Sequence, residues 1–347
     1  MSTAATTSPA RLTVAERARL LFPGVALALT IGAAAGFVSD HYGAPVMLMA
    51  LLIGMAFNHL AAAPSTKPGV DFAAKAVLRF GIVLLGARIT FAEIGSLGLG
   101  AVALVCLFTA LTIGSGLALA PLLGKRARFG LLSAGAVAIC GASAALALSA
   151  VIPRRANDGG EFERDTLFVV IAVTTLSTVA MIAYPILFGA LDLTDREAGF
   201  LIGATIHDVA QVVGAGFSIS EEAGEVATIT KLLRVTLLPV VVVAILLAGR
   251  IGGHGGDAGA VSFPLFVVGF VALAGLNSVG GLPPVVGGWL TEASRVCLVT
   301  AIAALGVKTS LRAMGAVGGR HIALLVMETL VLLALATAAL LVLRPFG

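Results

Sequence analysis

A run of small residues around Cys140, Gly141, Ala142 and Ser143 is the first place where this sequence could do chemistry. Gly135 and Gly141 allow a helix to break there. The second half of a broken helix begins with free N–H groups and about half a positive charge, which favours an anion. Ser143 would add a hydroxyl donor. The competing interpretation is a packing face, because small residues let helices approach closely.

A second polar cluster, His207, Asp208 and Gln211, interrupts a later apolar segment. His207 and Gln211 are four residues apart, so on a helix they would share a face, with Asp208 adjacent. Ionisable groups inside a membrane are candidates for function. We expect Asp208 or His207 to bind a proton or pair with a cation. The alternative is a helix end at the membrane surface.

Basic residues also lie within or at the ends of apolar segments, where an unpaired charge costs about 3 kcal/mol. They are Arg79, Lys231, Arg234 and Arg295. A buried guanidinium is expected to bind a carboxylate, an array of carbonyls or an anionic substrate. Glu292 is a candidate partner for Arg295. The alternative is that these side chains extend to the lipid headgroups.

Asn58 and Asn277 are further candidates for substrate binding, although asparagine in a membrane helix often only bonds a neighbouring helix. Ser177 and Thr178 are polar positions of the same weaker kind. Glu328 is a lone acid in the last apolar segment.

The composition places all these residues in a membrane. Hydrophobic residues make up 59% of the chain and charged residues 12%, against about 25% charged in soluble domains. In hydrocarbon only helices and closed barrels satisfy the main chain, and the apolar runs are long and unbroken. The predicted class is therefore an all-α polytopic membrane protein surrounded by a lipid bilayer.

About eleven spans of roughly 20 residues follow from the apolar runs. Residues 1–20 are predicted to be a cytoplasmic tail and 21–345 a single transmembrane domain. The predicted spans are 21–38, 45–61, 73–90, 98–122, 129–152, 166–190, 198–218, 226–249, 263–281, 289–307 and 321–343.

The distribution of Lys and Arg predicts a cytoplasmic N-terminus and an external C-terminus. The connection 153–165 disagrees, because this arrangement puts its arginines outside. The basic residues lie in short loops, so the net charge of +4 does not indicate a nucleic-acid partner.

Internal similarity indicates inverted repeats over about 45–190 and 198–343, the common plan of secondary transporters. One alignment, at an offset of about 155, matches Lys75 and Arg79 with Lys231 and Arg234. Another, at an offset of about 220, matches Asn58 with Asn277 and 84–98 with 304–318. The sequence leaves both open.

No feature supports an enzyme, and we expect no cofactor. The chain contains no phosphate-binding GxxxxGK[ST] motif and no HExxH helix. Its three cysteines, Cys106, Cys140 and Cys297, lie in apolar runs without the spacing of a zinc site.

Several motifs resemble the YeiH-type family of bacterial membrane proteins, which are named as sulfate exporters. They are LRFGIVLLGARI (78–89), AICGASAALA (138–147), STVAMIAYPIL (177–187), GATIHDVAQVVGAG (203–216), TKLLRVTLLPV (230–240) and AALGVKTSL (303–311). The family resembles sodium–proton antiporters and bile-acid symporters. This resemblance implies two inverted five-helix repeats, elevator movement and broken crossing helices at the fifth and tenth spans, around 140–143 and 295–301. It also suggests a homodimer.

Three functions remain open on the sequence. The preferred one is secondary transport of a small anion, sulfate or a sulfonate, coupled to a proton through His207 or Asp208. The second is cation/proton antiport, with Asp208 alternating between Na⁺ and H⁺. The third is a membrane receptor or scaffold that transports nothing.

Overall fold

The computed structural model describes residues 13–42, 44–152, 161–191, 193–251, 265–309 and 319–343. These residues contain helices and no strand, so the predicted all-α class is confirmed. A 3₁₀ turn (Asn58–Leu60) follows α2, and a π-helical segment (Ala73–Val77) joins α3 to α4. The helices are α1 (Val14–Tyr42), α2 (Val46–Ala56), α3 (Lys67–Phe72), α4 (Leu78–Leu85), α5 (Phe91–Ser96), α6 (Gly98–Leu122), α7 (Ala127–Ala138), α8 (Ala142–Val151), α9 (Glu161–Gly189), α10 (Asp195–Thr205), α11 (Val209–Phe217), α12 (Glu221–Ile251), α13 (Leu265–Ser278), α14 (Pro284–Lys308) and α15 (Arg320–Leu343).

Among the described residues, six helices are long and apolar enough to cross a bilayer: α1, α6, α9, α12, α14 and α15. The first of them begins at Val14, inside the predicted tail, whose residues 1–12 lie outside the described part of the chain. The predicted fifth and seventh spans are each divided into two short helices. With 12 and 10 residues, α7 and α8 reach about 18 and 15 Å, roughly half of a 30 Å hydrocarbon core.

The helices form two bundles, each with its own internal packing. The first bundle consists of α1 to α4, α13 and α14, and the second of α6 to α12 and α15. The main contact between them is made by α11, which touches α2 and α14 of the first bundle. The divided helices all belong to the second bundle, so that bundle positions the candidate site.

In the second bundle, α7 and α8 form a hairpin, which we call hairpin I (127–151). A Cβ placed on Gly135 of α7 would overlap the side chain of Leu148 of α8. On a straight helix these two residues would lie about 20 Å apart. Between them Gly141 has φ 65° and ψ −126°, a conformation that side chains disfavour, and its N–H donates to the carbonyl of Ala136 at 2.8 Å.

The two ends of hairpin I also lie together. At the start of α7, Arg126 and Arg128 donate to the carboxylate of Glu161, the first residue of α9, at 2.7 and 3.3 Å. The chain therefore enters and leaves hairpin I on one side of the bundle. The connection that the sequence placed outside, 153–165, falls partly outside the described residues, but its described end at Glu161 meets the start of α7.

A second hairpin, hairpin II (195–217), is formed by α10 and α11. Cβ atoms built on Gly199 and Gly216 would lie 2.6 and 3.1 Å from the same atom, the carbonyl oxygen of Ala223 of α12. Since these glycines stand on opposite sides of the break, α10 and α11 return to the same end of α12. The start of α10 is fixed by a capping box between Thr194 and Glu197.

The predicted break in the tenth span is absent, and this prediction is wrong. The corresponding helix, α14, is continuous from Pro284 to Lys308. Its residues between Arg295 and Gly306 include neither glycine nor proline, so nothing interrupts the helical hydrogen bonds. The second break lies instead in the seventh span, at 206–208, between α10 and α11.

Candidate functional site

The tips of the two hairpins meet inside the second bundle. The first tip is 139–141 and the second is 206–208. A Cβ placed on Gly141 would lie 3.6 Å from the Cβ of His207, so the two tips pack directly against each other. In the sequence these segments are separate candidates, and the fold brings them together.

Two buried cations of α12 hold the tips in place. Lys231 and Arg234 are 0% and 2% exposed, and their spacing of three residues puts them on one face of the helix. The Lys231 ammonium donates to the carbonyls of Ile139 at 2.6 Å and Ile206 at 2.9 Å, one from each tip. A single ammonium therefore bridges the two hairpins.

The Arg234 guanidinium binds the last carbonyls of α7 and α10. Its Nε donates to Ala138 at 2.9 Å and its Nη2 to Val137 at 2.7 Å. Its Nη1 donates to Gly203 at 3.1 Å and to Ile206 at 3.0 Å. The last carbonyls of a helix have no partner within it and carry partial negative charge, so they satisfy a buried cation.

The second halves of the hairpins begin differently. At the start of α11, the Asp208 side chain accepts from the N–H of Ala210 at 2.8 Å and caps the helix. At the start of α8 the N-cap is Gly141, and no side chain caps the helix. The exposed Ser143 stands in this first turn, and its hydroxyl lies 3.0 Å from the sulfur of Cys140.

His207 connects the second tip to α15. Its Nε2 lies 3.0 Å from the hydroxyl of Thr329, which itself donates to the carbonyl of Leu325 at 2.8 Å. Because the threonine proton is used, its oxygen accepts the Nε2–H of the histidine. The sequence offered no signal for Thr329, whose partner is far away in the chain.

Asp208 and Gln211 connect the same hairpin to α9. The N–H of Asp208 donates to the hydroxyl of Ser177 at 3.0 Å, and Nε2 of Gln211 donates to the hydroxyl of Thr178 at 2.7 Å. The predicted common helical face of His207 and Gln211 is not observed, because the helix is interrupted at 206–208. His207 faces α15 and Gln211 faces α9.

Asn58 and Asn277, predicted as substrate-binding, belong to the first bundle. The Asn58 amide donates to the carbonyl of Val307 at 2.8 Å, and the Asn277 amide to that of Ile89 at 3.3 Å. Both side chains join helices of that bundle, as their weaker interpretation predicted.

Arg295 and its candidate partner Glu292 are exposed on α14, also in the first bundle. The ion pair predicted between them is absent from the described part of the chain. Arg79 is likewise exposed, with its guanidinium 5.8 Å from the ring centre of Phe266. Of the basic residues singled out in the sequence, Lys231 and Arg234 reach the tips.

The apolar helices and the paired hairpins around buried charges define a multi-pass helical membrane protein. The profile of the family described as "Conserved hypothetical protein 698" matches residues 23–325. The chain therefore belongs to this family, and the resemblance to YeiH-type membrane proteins is confirmed.

Several relatives match nearly the whole chain. UPF0324 membrane protein TauZ of Paracoccus pantotrophus is 51% identical over 323 residues, which cover 92% of this chain and 94% of the relative. UPF0324 membrane protein CT0845 of Chlorobaculum tepidum is 48% identical, with 90% and 87% covered. UPF0324 membrane protein RA0957 of Rhizobium meliloti is 44% identical, with 92% and 91% covered. No solved structure matches this chain.

Proposed function

We propose that this protein is a secondary transporter of a small oxyanion, sulfate or an organic sulfonate, which binds at the meeting tips of hairpins I and II. The observation that carries the proposal is the uncapped start of α8 next to two buried cations. The first N–H groups of a helix have no partner within it, and the N-terminal end attracts anions. Lys231 and Arg234 place positive charge behind this turn.

The charges near the tips support an anion. Lys231 and Arg234 contribute two positive charges, against about −0.5 from each C-terminus of α7 and α10. The Asp208 carboxylate adds one negative charge, and the N-termini of α8 and α11 add about +0.5 each. The sum is about +1. A sulfonate matches this charge, whereas divalent sulfate would favour an accompanying proton.

The same arrangement weighs against the alternative of Na⁺/H⁺ antiport. The carbonyls of Ile139 and Ile206, which could bind a sodium ion, already accept from the Lys231 ammonium. Asp208 is engaged as the cap of α11. The two functions predict opposite effects of Asp208→Asn: antiport would be abolished, while anion binding would persist and strengthen.

Alternating access would move the second bundle against the first. The tips lie within the second bundle, whose main contact with the first is made by α11, together with the ion pairs of Arg88 with Glu221 and Glu225 of α12. A limited interface of this kind supports an elevator movement, in which the site travels with its bundle. Secondary transport also implies that the chain is no enzyme and that its location is the bacterial inner membrane. The first bundle, which would stay fixed during this movement, would then form the contact between the two subunits of a homodimer.

We further propose that hairpins I and II enter the membrane from opposite sides. They are separated by α9, which is long enough to cross the bilayer. The reversal in hairpin I brings Glu161, at the start of α9, to the side of Arg126 and Arg128. Both ends of hairpin I would then lie on the basic cytoplasmic side together with the N-terminus, which removes the disagreement with the positive-inside rule.

Reciprocal contacts support the repeat alignment at an offset of about 220. Asn58 bonds the carbonyl of Val307, and its counterpart Asn277 bonds the carbonyl of Ile89. A Cβ on Gly306 would overlap the carbonyl oxygen of Leu51, and one on Gly86 would approach that of Phe270. The same offset pairs Gly98, the first residue of α6, with Gly319, which directly precedes α15, and their φ angles are 77° and 89°.

Flux and binding measurements test the proposed function. Purified protein in proteoliposomes should carry sulfate or methanesulfonate, with a rate that depends on an imposed pH gradient. The same anions, and not chloride, should raise the melting temperature of the protein in detergent. Sodium-driven proton flux without anion transport would favour antiport, and no ligand-dependent shift for any small ion would favour a receptor or scaffold.

A further inference from the structure

A second buried acid, apart from the hairpin tips, lies in the middle of α15. Glu328 is 0% exposed. Its Oε1 accepts from the hydroxyl of Ser133 of α7 at 2.7 Å, and its Oε2 has no hydrogen-bond partner. Among the ion pairs of the described residues, none includes Glu328.

The surrounding helices are shaped around this carboxyl group. A Cβ placed on Gly116 of α6 would lie 2.6 Å from Oε1 of Glu328, so the absence of a side chain there makes room for the acid. Ser133 belongs to hairpin I, and the next residue of α15, Thr329, bonds His207 of hairpin II. Adjacent residues of α15 therefore touch both hairpins.

We propose that Glu328 is a proton-binding site that gains and loses its proton when water reaches the contact between α7 and α15 inside the second bundle. A carboxylate without a cation and with a single hydroxyl donor is strongly disfavoured in an apolar interior, so the packed arrangement favours the neutral acid. Water entering this contact would accept the proton, and closing of the contact would require a proton to be taken up again.

Other titratable groups around α15 are peripheral to this carboxyl group. They come from the turn after α6, from α7, from α9, from the second tip and from α15 itself, and are Lys125, Arg128, Asp165, His207 and His321. His321 lies on the face of Glu328, two turns closer to the end of the helix. It bonds Lys125 at 2.7 Å and stands 3.7 Å from Asp165, so the charges of this cluster are paired with one another rather than with Glu328.

Infrared spectroscopy of the purified full-length protein tests the site without any transported anion. Wild type should show the C=O band of a protonated carboxylic acid at neutral pH, and Glu328→Gln should remove it. Glu292→Gln, which changes an exposed glutamate of α14, is the matched control and should leave the band in place. A band that survives Glu328→Gln overturns the proposal.

The pH dependence of stability gives a second readout. The folded state keeps the Glu328 proton, whereas the unfolded chain loses it once the pH exceeds the ordinary pKa of a glutamate. The free energy of unfolding therefore falls as pH rises. The melting temperature of wild type should therefore fall more steeply between about pH 5 and about pH 8 than that of Glu328→Gln. Equal slopes contradict the proposal. If Glu328→Gln does not fold, Ser133→Ala replaces it and should shift the carboxyl band, and an unshifted band contradicts the proposal.

Coupling of this proton to anion movement rests on the proposed function. In proteoliposomes, Glu328→Gln should lose the effect of the pH gradient on sulfate flux while Glu292→Gln keeps it. A titrating Glu328 in a protein that carries neither sulfate nor methanesulfonate would refute the transport proposal and leave the proton site intact. Sulfate flux that follows the pH gradient in Glu328→Gln would refute the coupling.

Discussion

Hairpins I and II are alike at the end of their first helices and differ at the start of their second helices. In both, the first helix ends in carbonyls that accept from Lys231 or Arg234. The second helix of hairpin II begins at Asp208, whose carboxylate caps it. The second helix of hairpin I begins at Gly141, which has no side chain to do so.

This difference is the reason for proposing the first tip, and not the second, as the binding site. The start of α11 is satisfied by the chain itself, with Asp208 and the contacts to Ser177 of α9. The start of α8 has no capping side chain, and Lys231 and Arg234 of α12 bind the carbonyls just before it. Substitutions at four positions test this contrast, in order of decreasing effect.

Arg234→Met removes the feature that both hairpins share and should have the largest effect. It leaves four main-chain carbonyls without this donor, and the loss of a buried charged partner costs about 3 kcal/mol or more. Thermal or detergent-induced unfolding measures the change. Arg295→Met, at an exposed position of α14, is the control and should stay within about 0.5 kcal/mol. Similar losses in both variants would show that Arg234 does not hold the tips.

Gly141→Ala acts on hairpin I alone. Its φ of 65° disfavours any side chain, so the substitution should cost about 1–2 kcal/mol of stability. The thermal unfolding midpoint should fall, and sulfate-induced stabilisation should weaken because the start of α8 moves. Gly100→Ala, where a Cβ meets nothing within 4 Å, provides the comparison and should be neutral or stabilising. An unaffected Gly141→Ala would refute the reversal of the chain at this tip.

Ser143→Ala tests whether the first turn of α8 holds the anion. Loss of a hydrogen bond to a charged group costs about 1.5 kcal/mol, which is roughly a tenfold weaker sulfate or methanesulfonate affinity. Calorimetric titration measures it. Ser149→Ala is matched, because that serine also donates to the carbonyl three residues earlier in α8. Equal affinities of the two variants would remove Ser143 from the site.

Asp208 separates the capping role from the charge. Asp208→Ala should cost about 1 kcal/mol of stability, whereas Asp208→Asn should cost little because asparagine caps helices equally well. Asp208→Asn should also bind sulfate more tightly, since it removes a negative charge beside the site. Equal losses of stability in Asp208→Ala and Asp208→Asn, together with weaker sulfate binding in both, would contradict this division of roles.

The membrane class and the first break were predictable, whereas the second break and the reversal of the chain were not. Small residues around Gly141 marked the first break. The polar triplet at His207 marked the second candidate segment, which was expected to be a continuous helix, and Lys231 and Arg234 were among the basic residues singled out. A break in a helix does not specify direction, however. The contact of Gly135 with Leu148 depends on tertiary packing that no local pattern encodes.

Other misassignments have the same origin. Asn58 and Arg295 are polar groups in apolar segments, which is the same signal that Arg234 gives. What differs is the bundle to which each helix belongs and the face that it buries. The break expected around Arg295 came from resemblance to a fold family and had no glycine of its own to support it.

The most direct test of the account is the position of a bound oxyanion. Selenate scatters anomalously and resembles sulfate, so a crystal of the full-length protein soaked in selenate reveals the site. We predict an anomalous peak within hydrogen-bonding distance of the main-chain N–H groups of Ala142 and Ser143. A peak elsewhere in the protein, or none at saturating selenate, would contradict the assignment of the first tip as the binding site.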